Sequence, residues 1–263
     1  MLKFCINIVL YMCNNVRVGE IEMKEIITDR FVINFQEGLE EFVDASLNVV
    51  EKQMPLLEKL FQLDAFEVGK LKASFFIERK DFVEYIKSIS NGETPPEWAT
   101  GCFYNGEIQT LLNINNEESL KSQVHTLAHE MTHLYIDKLV YEKYDIDRVR
   151  WFDESYALYI DGRLKNRTKE QLRNMCERLK DVGKFDLNIL NDINKVKTKD
   201  YNGYDMFLVV GKYIFENNLA VEYLDLIKTR PNEIRKVGRE ILTKSIEYTL
   251  EDNNSWREEW FCQ

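Results

Sequence analysis

The sequence predicts an α+β fold: a small mixed N-terminal lobe with an edge strand and a hairpin, then a mainly helical C-terminal lobe. Three observations predict it. Residues 71–77 (LKASFFI) alternate in the manner of a strand. Asn105-Gly106, the strongest short hairpin signal, stands between the strand-like runs 99–104 and 107–112. From Trp151 onward the apolar residues recur at helical spacing, through 168–179, 204–216, 220–229 and 231–250.

The elements follow in order. Residues 1–22 are expected to form an N-terminal extension. Their apolar start, Met1 to Cys13, resembles a signal peptide, but Asn7 interrupts it, no small-residue cleavage site follows, and it is too short to span a bilayer. Met23 is a candidate start, and residues 23–263 are expected to be one domain, with a mixed lobe over 23–150 and a helical lobe over 151–263. Residues 37–63 read as a long amphipathic helix, with Leu39, Phe42, Val43, Leu47, Val50, Met54, Leu57, Leu60 and Phe61 on one stripe and Pro55 as a place for a kink. A strand at 71–77 and a short helix at 81–89 precede the hairpin. One helix is then expected from Asn115 or Asn116, which can cap it, through Glu117 and Glu118 in a first turn where the helix dipole favours anions. Leu120, Val124, Leu127, Met131, Leu134 and Tyr135 form its core stripe.

That helix carries His129-Glu130-Met131-Thr132-His133. Residues four apart on a helix share a face, so both imidazoles can meet one metal ion, with Glu130 one step round facing the same space. Only three histidines occur in the chain, and two fall here. Catalytic zinc takes three protein ligands and keeps a fourth position open. Glu154 is the candidate third ligand. It stands in Trp151-Phe152-Asp153-Glu154-Ser155-Tyr156-Ala157, a largely apolar helix in which a carboxylate without a partner would be costly. The remaining histidine, His125, lies two turns before His133 and diverges too far to close on the same ion, so its expected role is structural or supportive.

HEMTH followed by the WFDESYA helix resembles the gluzincin metallopeptidases of the thermolysin and aminopeptidase N type, and the small peptidase-like domains related to them. The resemblance implies a zincin-like fold with the zinc cleft between the two lobes. It also implies His129, His133 and Glu154 as zinc ligands and Glu130 as general base. Ser155 stands where the family usually has Gly, and Leu158 where thermolysin-like members carry an Asp that supports a histidine. In the family the strand before the zinc helix forms the cleft's edge, where extended peptide pairs with it. Gly101, Cys102, Phe103 and Tyr104 are the matching substrate-binding residues. Tyr104 stands where aminopeptidases carry the Glu that holds a free amine. Residues 201–214 are similar to the family's helix that opens on a Tyr whose hydroxyl stabilises the oxyanion. Tyr201 and Tyr204 both qualify, with Tyr201 favoured.

Composition bounds the rest. With 44% apolar and 30% charged residues, the 263-residue chain can bury a large core. A net charge of −10 argues against nucleic acid as a partner, since the phosphate backbone rewards basic surfaces. The five cysteines are scattered and odd in number, which disfavours a disulfide framework and points to the cytoplasm. Cys102 is expected to be a buried thiol rather than a nucleophile. The leading expectation is a zinc-dependent metallopeptidase acting on peptides or proteins, hydrolysing the bond by Glu130-assisted attack of a zinc-bound water. The alternatives are a non-catalytic zinc- or peptide-binding domain with a scaffold or regulatory role, and an acidic helical interaction protein in which HEMTH is coincidental. The sequence leaves open the substrate, endo- versus exo-cleavage and the oligomeric state.

Overall fold

A computed structural model describes residues 14–18, 21–28, 30–61, 69–97, 99–104, 106–163, 167–180, 190–192, 195–197 and 202–250. Strands β1 (Asn14–Val18), β2 (Ile21–Ile27), β3 (Phe31–Phe35), β4 (Leu71–Phe76), β5 (Gly101–Tyr104) and β6 (Glu107–Leu111) form one sheet in the order β1-β2-β3-β4-β6-β5. The β1–β2, β2–β3 and β5–β6 pairs are antiparallel, and β4 lies parallel to both its neighbours, β3 and β6. The expected extension over residues 1–22 thus includes a paired strand, tied to β2 by its backbone.

Chemistry explains the parallel centre. Phe31, Ile33 and Phe35 of β3 are buried in alternation, whereas β4 is buried continuously from Ala73 to Phe76, as a strand covered on both faces must be. Helix α1 (Glu40–Phe61) connects β3 to β4 and meets the sheet through Phe42, edge-on to Phe75 at 5.5 Å between ring centres. Its buried stripe, Val43, Leu47, Val50, Met54, Leu57 and Leu60, carries the helix through Pro55 although that residue removes one backbone hydrogen bond. Helix α2 (Arg79–Ile89) covers Phe76, with Phe82 against it at 5.9 Å. The hairpin between β5 and β6 turns at Gly106, whose φ of 80° suits a residue without a β-carbon. Tyr104 pairs with Glu107 and Gly101 with Thr110, so the first strand of the hairpin is the sheet's edge. The strand that leads toward the HEMTH segment, β6, lies inside.

The single helix expected from residue 115 or 116 is two. Asn116 caps α3 (Glu117–Gln123), its side-chain oxygen accepting from the Ser119 N–H at 3.0 Å. A turn at Val124 and His125 follows, then α4 (Thr126–Ile136), which runs on into a π-helical turn at Asp137–Glu142. Helices α5 (Arg150–Ile160), α6 (Lys169–Lys180), α7 (Gly203–Glu216), α8 (Ala220–Thr229) and α9 (Pro231–Leu250) complete the described chain.

Two compact units are distinguished. One comprises Met1–Lys52 with Leu63–Met131, the other Gln53–Gln62 with Thr132–Gln263. The first holds the sheet. In the second, α5 and α7 approach closely: a β-carbon on Gly211 would lie 2.3 Å from the backbone oxygen of Ser155. Tyr156 of α5 is fully buried, and its hydroxyl donates to the Ala220 carbonyl at 2.6 Å. Among the described residues no helix is long and apolar enough to cross a membrane.

Candidate metal centre

Helix α4 presents His129 and His133, one turn apart, and α5 presents Glu154. All three are buried, and one ligand atom from each lies within 4.8 Å of the others, a group that could hold a metal ion. His133 Nε2 is 3.5 Å from Glu154 Oε2. Two donors held about 2.1 Å from one ion in a tetrahedron lie about 3.4 Å apart, so this pair has the spacing zinc asks for. Two imidazoles and one carboxylate are also its usual donor chemistry.

A buried imidazole needs its orientation fixed. Asp153 does this for His133, with Oδ1 2.7 Å from Nδ1. A carboxylate can only accept there, so Nδ1 carries a proton and Nε2 is left facing Glu154. Burial alone would lower the His133 pKa, but the charges of Asp153 and Glu154 outweigh it and raise the ring to about 10. Burial likewise pushes Asp153 up, yet the charges of His133 and Arg148 hold it below the usual carboxylate range. Arg148 donates through Nε to Asp153 Oδ2, and Arg150 donates through Nη1 to Glu154 Oε1 at 3.3 Å.

The helical spacing and the HEMTH pattern do not reach Asp153, Arg148 or Arg150. A signal for Asp153 existed: it stands beside Glu154 in the same apolar helix, where the same cost of burial applies. Position 158, where thermolysin-like proteins carry a supporting Asp, is a buried Leu, and the carboxylate on His133 comes instead from Asp153, the residue before Glu154. Ser155, where the family has Gly, bonds its hydroxyl back to the Trp151 carbonyl.

Glu130 is buried on α4 and stands directly beside the start of β5. A β-carbon on Gly101 would lie 3.0 Å from Glu130 Oε1 and 3.1 Å from Thr126 Cγ2, so a small residue at 101 leaves the carboxylate its space. Cys102, Phe103 and Tyr104 continue β5, each half-buried. The Cys102 thiol lies 3.2 Å from Gln109 Oε1, and burial together with the charge of Glu130 pushes it up to about 12. A thiol so protonated is a poor nucleophile. His125 is half-buried and stands outside the ligand group; its carbonyl accepts the His129 N–H at 3.1 Å. Tyr204 is half-buried in the first turn of α7, with its ring edge-on to Phe207 at 5.4 Å. Tyr201 lies outside the described residues. No model of a known protein family matches the chain, and no curated protein matches it.

Proposed function

We propose that this chain is a zinc-dependent metallopeptidase, with His129, His133 and Glu154 holding the ion and Glu130 as the general base. The observation that carries the reading is the buried convergence of the three donors, with His133 oriented by Asp153. A bound zinc ion supplies Lewis acidity toward a scissile carbonyl and acidifies water. The chain's own residues do the rest. Glu130 takes a proton from water and passes it to the leaving amine. Asp153 holds the His133 ring and balances its charge. The outer backbone edge of β5 is proposed to pair with an extended peptide, and Tyr201 or Tyr204 to donate to the oxyanion. A cytoplasmic setting and peptide or protein substrates belong to the same proposal.

Metal content and a digest test it. The purified chain is expected to carry about one zinc, His133→Ala to lose most of it, and a peptide library to be cleaved in a chelator-sensitive way. Because His133 binds a proton up to about pH 10 in the metal-free chain, zinc must displace that proton. Affinity is therefore expected to rise about tenfold per pH unit across neutrality. Absence of zinc uptake overturns the reading. Zinc without cleavage leaves a peptidase-like binding domain in its place.

A further inference from the structure

Two arginines pair with the two carboxylates that face His133, and one of them stands where helix physics does not favour a cation. Arg150 is the first residue of α5, where the positive end of the helix dipole repels a cation. Its partner Glu154 follows four residues later, the weaker order for such a pair, since an acid preceding a base aligns with the dipole. The pair therefore adds little to the helix. What it does is divide the Glu154 carboxylate: Oε1 faces Arg150 Nη1 at 3.3 Å, while Oε2 faces His133 Nε2 at 3.5 Å. Arg148 divides Asp153 in the same way, with Oδ2 taken by its Nε and Oδ1 at 2.7 Å from His133 Nδ1.

We propose that Arg148 and Arg150 are paired positioning residues that allot one oxygen of each neighbouring carboxylate to the metal centre. Arg150 restricts Glu154 to single-oxygen ligation, and Arg148 holds Asp153 square to the His133 ring. The proposal rests on the reading of His129, His133 and Glu154 as metal ligands. Its consequence is a coordination number kept low on the protein side. With both oxygens released, Glu154 could ligate through the pair and fill a position otherwise left open. A planar guanidinium makes this division because its donors point in fixed directions, which an ammonium cannot copy.

Cobalt(II) tests it, since its visible absorption is strong in four-coordinate sites and weak at higher coordination. The full chain, Arg150→Met, Arg150→Lys, Arg148→Met and Arg148→Lys are loaded with cobalt, and circular dichroism checks that each is folded. The unaltered chain is expected to give a strong band. Arg150→Met should give a weaker, shifted band with metal still bound, and Arg150→Lys should resemble it more than the unaltered chain. Arg148→Met should keep the band's shape and weaken metal binding by about 10–100-fold, with Arg148→Lys restoring only part of it. Spectra and affinities equal to those of the unaltered chain in all folded variants overturn the arginine assignment alone. Failure of the unaltered chain to bind cobalt or zinc overturns the ligand reading and this proposal with it.

Discussion

Glu130→Gln is expected to keep zinc and fold while hydrolysis falls by about two to four orders of magnitude. General acid–base assistance contributes on that scale, and the amide cannot take a proton at neutral pH. The substitution is nearly isosteric, which matters because the space between Gly101 and Glu130 Oε1 is tight: a β-carbon at 101 would lie only 3.0 Å from that oxygen. None of the three donors is altered, so metal content should match that of the unaltered chain. The loss should appear in kcat rather than KM, because proton transfer occurs only on the way to the transition state. Zinc content and steady-state hydrolysis of a library-derived peptide measure both. Near-normal turnover with zinc in place would remove Glu130 as the base.

The three residues that could hold a metal were legible because their types and spacing depend on local geometry. Four-residue spacing on a helix puts His129 and His133 on one face whatever the tertiary fold, and α4 obliges over Thr126–Ile136. Glu154 was legible from the cost of a carboxylate among Trp151, Phe152 and Tyr156, all of which are fully buried. Asp153 carried the same signal, but its partner depends on how the His133 ring turns, which the sequence does not state. Nothing in the sequence beside Asp147 sets Arg148 and Arg150 apart from ordinary surface charge. The break at Val124 and His125 has no Gly or Pro to announce it, and the apolar stripe crosses it without interruption. Strands β2 and β3 escaped because their pairing is tertiary. In β2 only Met23 and Ile26 are buried, a spacing of three rather than two. The helices Ala220–Thr229 and Pro231–Leu250 were read to the residue, since Pro231 both stops one and starts the next.

Gly211→Ala is expected to destabilise the protein and, through α5, to loosen the metal site. The added methyl would sit 2.3 Å from the Ser155 carbonyl oxygen, 3.2 Å from the Ser155 carbonyl carbon and 3.2 Å from Tyr159 Cβ. Two of the three are backbone, so no rotamer change relieves the clash and α5 or α7 must move. Overpacking of this kind costs on the order of 3 kcal/mol, and a lowering of the melting temperature by about 5–10 °C follows for a chain of this size. Ser155→Gly should not rescue it, because the contact is with the main chain rather than the hydroxyl. Ser155 is the next residue after Glu154, so a shift of α5 carries the carboxylate and Asp153 with it, and zinc affinity should fall although no ligand is changed. Thermal melts and zinc titration of Gly211→Ala, alone and combined with Ser155→Gly, measure the two effects. A Gly211→Ala protein that melts with the unaltered chain would mean that α5 and α7 do not meet at Gly211, and the positions of Asp153 and Glu154 would then need another source of support.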